Sequence, residues 1–261
     1  MIKIKNLFLV TDNKISFSKF LINSCILIGI ICTILYFSFK EIGLTLDFTF
    51  LIPLKKRIID GFFMTFYISL GSFFLSFIIG IVTVFFQKTN IIILRYISYI
   101  YIKFIRGTPL IMQIYLFFYI IGTAWGIENR LFAGILILSI FEGAYISEIL
   151  RGSLDSIDES QIEIAKSIGY TKYQTFRFLI FPQLLTRTVP ALTGQLASIV
   201  KDSSLLSIIA IIELTQTMRE ISATNFKLFE CYLALGLLYL AFTLPLSYIS
   251  EKLERKFKYE S

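Results

Sequence analysis

Apolar residues in this chain gather into six long runs, covering residues 20–39, 61–86, 92–121, 131–151, 191–212 and 228–250. Each run matches or exceeds the roughly 20 mostly apolar residues that a helix needs to cross a bilayer. The pattern predicts an all-α fold: an integral membrane helical bundle of about six transmembrane helices. Two polar interruptions are longer than a turn. One is the connector 40–58, which contains Glu41, Asp47 and the run Lys55-Lys56-Arg57; the other is the segment 152–190. No internal repeat and no low-complexity tract occurs.

The segment 152–190 has a helical pattern of its own. In "SQIEIAKSIGYTKYQTFRFLIFPQLL", Ser160 and Glu163 have the spacing of a capping box, and Gly169 suits the left-handed residue that closes a helix. This predicts a helix near 161–168. Thr171 and Gln174 form a second capping box, starting a helix expected to run until Pro182 disturbs it. The spacing puts Ile164, Ala165 and Ile168 near one another. A helix this short is not stable alone in water, so its apolar stripe must be covered. The cover is either this chain's own helix ends or a partner that receives the helix as a docking knob.

Composition agrees with a membrane protein: 56% of residues are hydrophobic, 16% are charged and mean hydropathy is +0.76. A soluble domain has about 25% charged residues. With no His, the commonest general base and metal ligand is missing. The cysteines Cys25, Cys32 and Cys231 lie in apolar runs without metal-ligand spacing. In such a chain the net charge of +7 reads as Lys and Arg setting orientation, rather than as a nucleic-acid surface. The basic N-terminus (1–19) and the tail 251–261 are both expected in the cytoplasm, and six spans place them on one side. The segment 152–190, with Lys166, Lys172, Arg177 and Arg187, falls there too. Lys55-Lys56-Arg57 falls outside, on an amphipathic lead-in to the second span. The run 20–39 is long and no small-residue cleavage site follows, so it is expected to be a retained anchor helix.

Ionisable groups within spans are costly and usually face protein or a water-filled path. Arg106 lies in the third span beside Pro109, which should kink or unwind the helix and leave Arg106-Gly107 irregular beside a cavity. Alternatively, Arg106 snorkels to the interface. Glu148 and Arg151 can pair at i, i+3 near the rim. Glu142 lies deeper with no sequence-local partner and is a candidate substrate or gate contact, or else a buried protonated acid. Gln195, Ser198 and Asp202 share a face of the fifth span, as a path or a subunit interface. Gly194 beside them would admit a close helix.

Glu163-Ile164-Ala165, then Gly169, then Leu179-Ile-Phe181-Pro182, resembles the EAA loop of the membrane-spanning subunits of ATP-binding cassette importers. Ile164 and Phe181 stand where Ala and Leu are usual, and both stay apolar. "FIRGTPLIMQIYLFFY" (104–119), "GAYISEILRGSLDSI" (143–157) and "KDSSLLSIIAIIELTQ" (201–216) are similar to the polar amino acid branch of these importers. Small polar residues are more usual there near Glu142. The resemblance covers about 60–250. It implies a type I importer transmembrane domain over 59–250 with five core helices, to which 20–39 adds an extra anchor and 40–58 an external connector. It implies that Glu163, Ile164, Ala165, Ile168, Gly169 and Pro182 couple to an ATPase. The partners it implies are an ATP-binding cassette ATPase dimer, a second permease subunit (a copy or a relative) and an extracytoplasmic solute-binding protein.

No Gly in the chain is followed by Lys, so the phosphate-binding loop GxxxxGK[ST] is absent. The chain is therefore expected to be no enzyme and to hold no cofactor. ATP and Mg are expected on the partner ATPase. Closure of that ATPase would move the short helix and switch the spans between inward- and outward-facing states. The rival reading is an ion-coupled secondary transporter of a small polar solute, which usually shows internal repeats. A membrane-embedded enzyme lacks any supporting motif. The sequence does not identify the solute.

Overall fold

The computed structural model describes residues 17–43 and 45–258. Residues 1–16 of the expected cytoplasmic segment 1–19, with Lys3, Lys5 and Lys14, and the last residues of the tail lie outside them. Among the described residues every regular element is helical. The chain divides into two units at Thr49/Phe50.

The first unit holds α1 (Phe17–Glu41). It is apolar on all sides, as a lipid-facing helix is. Its polar side chains bond back to their own helix: Thr33 Oγ1 donates to Gly29 O at 2.7 Å and Ser38 Oγ to Ile34 O at 2.8 Å. This is how hydroxyls are satisfied where no water reaches. Gly43, at φ 63°, closes the helix.

The second unit is built on α2 (Lys55–Lys88) and α5 (Arg130–Asp155). The buried residues of α2 are mostly small: Gly61, Thr65, Ser69, Ser72, Ser76, Gly80 and Thr83, spaced by threes and fours. Such a seam lets two backbones approach where there is no hydrophobic drive to associate. A Cβ on Gly80 would lie 2.7 Å from Ile146 Cγ2, and one on Gly143 2.6 Å from Ile79 Cγ2. Hydroxyls cross the seam: Ser139 Oγ donates to Ser72 O at 3.3 Å. Phe63, Phe66, Phe74 and Phe85 stand on the exposed side of α2.

The expected third span, 92–121, is broken. It comprises α3 (Ile92–Gly107) and α4 (Leu110–Ile114), continued by a π-helix over Tyr115–Gly122, bent by 115°. Arg106-Gly107 stays helical, contrary to expectation; the irregular residues are Thr108 and Pro109. Proline forces its predecessor out of the helical region, and Thr108 sits at φ −127°, ψ 149°. The freed Ile105 carbonyl accepts from Gln113 Nε2 at 2.8 Å, and that amide also donates to Thr108 Oγ1 at 2.8 Å, whose hydroxyl donates in turn to Phe104 O at 2.8 Å.

The loop then carries α6 (Glu159–Ser167) and α7 (Lys172–Gln174). A π-turn over Thr175–Ile180 follows, and then α8 (Phe181–Asp202). Pro182 does not stop the helix. The wider π-turn before it absorbs the missing donor, so the fifth membrane helix begins well before the expected residue 191. A 3₁₀ stretch over Ser203–Ile209 ends at Ala210, φ 55°, and leads to α9 (Leu214–Asn225). The last helix, α10 (Leu228–Lys258), runs past the expected end at 250. Arg57 pairs with Glu220 of α9, so the basic run before the second span begins α2 with one charge matched.

Candidate functional site

The short helix α6 starts one step earlier than the capping box predicts. Asp158 is its N-cap and accepts from Ser160 N at 3.0 Å. That backbone donor holds the Asp158 carboxyl below the usual carboxylate range. Ser160 therefore lies inside the first turn, and Glu163 is exposed instead of reaching back to an N-cap. The far end follows the prediction. Gly169 has φ 86°; Gly169 N donates to Lys166 O at 3.0 Å and Tyr170 N to Ala165 O at 2.9 Å. These two bonds make a Schellman motif. The second capping box also forms, with Thr171 N bonded to Gln174 Oε1 at 2.8 Å and Gln174 N to Thr171 Oγ1 at 3.3 Å.

The apolar stripe of α6 splits in two. Ala165 is 5% exposed, packed into this chain, whereas Ile164 and Ile168 are 61% and 66% exposed. The chain's own cover thus reaches Ala165 and leaves Ile164 and Ile168 open. The helix is tethered to the base of α8 through Gln183 Nε2, which donates to Gln161 Oε1 at 2.7 Å; beside it Arg187 Nη1 of α8 donates at 2.5 Å to Ser156 Oγ, the C-cap of α5. Sequence reasoning missed Gln183 and Arg187, because contacts at such separations leave no local pattern. Pro182 is exposed on the first turn of α8.

Within the bundle, α5 and α8 bring together residues far apart in sequence. Glu142 is fully buried, and Gln195 Nε2 donates to its Oε2. The Asp202 carboxyl lies beside it, and Glu142 Oε1 has no hydrogen-bond partner. Gln195, Ser198 and Asp202 are half-buried along one stripe of α8. Glu142, Gln195 and Asp202 thus form one polar cluster, with Ser198 on the same stripe. Gly194 lies beside Ser250 of α10, whose Oγ donates to Pro190 O at 2.8 Å.

Arg106 is elsewhere. Its Nη1 meets Glu148 Oε2 at 2.9 Å, and its guanidinium lies 5.4 Å from the Tyr145 ring centroid. Glu148 also receives Arg151 Nε at 2.9 Å, Arg151 reaches Asp155 at 2.9 Å, and Lys88 meets Asp155 at 2.5 Å. This ionic chain joins the ends of α2 and α5 to α3. Sequence reading drew its Glu148–Arg151 link from spacing; Arg151 and Asp155, at i, i+4, carry the same signal, whereas the Arg106 and Lys88 links join distant segments and leave none.

A family described as "Binding-protein-dependent transport system inner membrane component" matches residues 91–259. The chain is 33% identical over 215 residues to the glutamine transport system permease protein GlnP of Escherichia coli (strain K12), covering 81% of this chain and 98% of the relative. It is 36% identical over 199 residues to the probable glutamine ABC transporter permease protein GlnP of Bacillus subtilis (strain 168), covering 75% and 91%. Among solved structures, a crystal structure of an amino acid ABC transporter with histidines superposes with a TM-score of 0.76 at 28% identity. The match covers 82% of this chain and 100% of that one.

Proposed function

Because the chain belongs to the family of binding-protein-dependent transport system inner membrane components, we propose that it is the permease subunit of an importer that moves a polar amino acid, driven by ATP hydrolysed on a separate subunit. It works in the bacterial cytoplasmic membrane with both termini and α6 on the cytoplasmic side. Its partners are an ATPase dimer, which holds ATP and Mg, a second permease subunit, and a solute-binding protein outside. The relatives named for glutamine and for amino acids support the solute class.

One observation carries the coupling: α6 buries Ala165 in its own chain while presenting Ile164 and Ile168 outward. Covering one such side chain is worth about 1.5–3 kcal/mol. A receiving cleft would gain that from each isoleucine. A push on α6 passes through Gln161–Gln183 into α8, which Ser156–Arg187 also ties to the end of α5. That helix carries the stripe Gln195, Ser198 and Asp202 against Glu142 on α5. Rotation of α8 relative to α5 would open or close this polar contact, in the manner of rigid-body alternating access.

The test is reconstitution of the chain with its ATPase and binding protein in liposomes, with a panel of glutamine, glutamate, histidine and arginine. ATP-dependent uptake of at least one is expected. Uptake driven by an ion gradient without ATP would refute the proposal. Ile164→Ser combined with Ile168→Ser should weaken ATPase association more than tenfold while membrane insertion is retained.

A further inference from the structure

A cavity of about 880 Å³ runs along α3 and is not used by the coupling or by the polar cluster. Its walls carry four cations, Arg95, Lys103, Arg106 and Arg151, against one carboxylate, Glu148. Arg106 and Arg151 share that carboxylate. Arg95 and Lys103 have no carboxylate partner among the described residues: Arg95 Nε donates to Thr89 O, and Lys103 Nζ lies 5.7 Å from the Tyr99 ring centroid. The cavity thus holds an unmatched positive charge.

The opposite side of α3 is apolar and open. Ile93, Ile97, Ile100 and Phe104 are 64%, 49%, 62% and 39% exposed, and they lie half a turn from Arg95, Lys103 and Arg106. A helix with one greasy face and one basic face belongs at the boundary between hydrocarbon and headgroups. The 115° bend at Thr108–Pro109 turns α3 away from the line of α4. The cavity also lies at the end of the bundle where Lys88, Asp155 and the α6 loop are found. One more group points to a ligand: Gln87 lines the cavity, and its Oε1 is buried without a donor.

We propose that this cavity binds the headgroup of an anionic phospholipid, of the phosphoglycerol type. Arg95 and Lys103 take the phosphate, and a headgroup hydroxyl donates to Gln87 Oε1. The acyl chains leave over Tyr96 and Tyr99, 61% and 59% exposed, to join the lipid. Basic pockets between membrane helices on the cytoplasmic side are suited to this chemistry. The proposal rests on the reading of the chain as a membrane permease with α6 in the cytoplasm.

The test is native mass spectrometry of the assembled transporter titrated with phosphatidylglycerol or phosphatidylcholine. Lipid retention reads the cavity whichever way the chain is oriented, while labelling of Lys172→Cys reads orientation separately. Phosphatidylglycerol should be retained, one per chain, in preference to phosphatidylcholine. Arg95→Gln with Lys103→Gln should weaken retention roughly 30-fold, two cations at the usual weight of a juxtamembrane Lys or Arg. The conservative pair Arg95→Lys with Lys103→Arg should restore most of it, which separates charge from misfolding. Equal retention of both lipids, or unchanged retention in the Gln pair, would overturn the proposal. So would displacement by glycerol 3-phosphate at matched concentration, which would make the cavity a soluble-anion site. Protection of Tyr99→Cys from maleimide in the delipidated complex would assign the cavity to a partner subunit instead.

Discussion

Gly169 offers the cleanest perturbation of the coupling loop. It sits at φ 86°, and a Cβ added there would meet nothing within 4 Å. Any cost of substitution is therefore local backbone strain and not a clash. An L-residue in the left-handed region costs about 1–2 kcal/mol, most for β-branched side chains and least for Asn. That range is roughly a 5- to 30-fold loss of the closed turn relative to frayed alternatives. The turn holds two bonds, Gly169 N to Lys166 O and Tyr170 N to Ala165 O, and it sets the direction of the neighbouring Ile168. The informative series is Gly169→Asn, Gly169→Ala and Gly169→Val, read by co-purification with the ATPase and by hydrogen exchange over 159–168. Asn should stay near the parent, Ala should fall between, and Val should bind most weakly and exchange fastest. Asn and Val are comparable in size, so their difference separates conformation from volume. Parent-like behaviour of Gly169→Val in both assays would refute the argument, and an Asn variant as damaged as Val would point to volume.

Glu142→Gln keeps the size of a fully buried side chain but removes its carboxyl; uptake per ATP hydrolysed should fall several-fold, and equal uptake would leave Glu142 a structural hydrogen-bond acceptor for Gln195. Gly143→Ala places a Cβ 2.9 Å from Ile79 Cβ and 3.0 Å from Tyr101 Oη, so the α2–α5 seam should lose about 1–3 kcal/mol, measured as a lowered thermal midpoint in detergent. Gly152→Ala, with nothing within 4 Å, is its control and should not lower that midpoint. For orientation, a cysteine at Lys172 should label from the cytoplasm and one at Asn129 from outside; labelling of both from one face would mean that a span has been miscounted.

The number and identity of the apolar runs were legible because lipid imposes a length and a composition on anything that crosses it. So was the closing turn of α6, because a left-handed residue demands Gly. The absence of a phosphate-binding loop was likewise plain from residue identities alone. The helix starts depend on more than local pattern. Ser160 and Asp158 both fit an N-cap, and the choice between them depended on where α5 ends and how Ile157 is buried. The break in the third run was signalled by Pro109, but its 115° angle was not. That angle reflects Gln113 capping the freed Ile105 carbonyl and α3 pairing, through Arg106, with Glu148 on a distant helix.

What the sequence determined by itself is therefore local and solvent-driven: an all-α membrane chain, a short capped helix in a polar loop, and polar residues whose cost in lipid marks them as paired or wet. The tertiary structure alone decided which of those polar residues meet. Glu142, Gln195 and Asp202 converge because the small residues of α2 let α5 approach closely, while α8 packs on α5 from another side. Arg106 joins Glu148 instead, although it shares with the cluster the same expectation of a path. The split of α6 into a buried Ala165 and an outward Ile164 and Ile168 was decided the same way. Spacing along a helix says which residues share a face. It does not say how wide a neighbour's cover is, because that depends on packing between segments far apart in the chain.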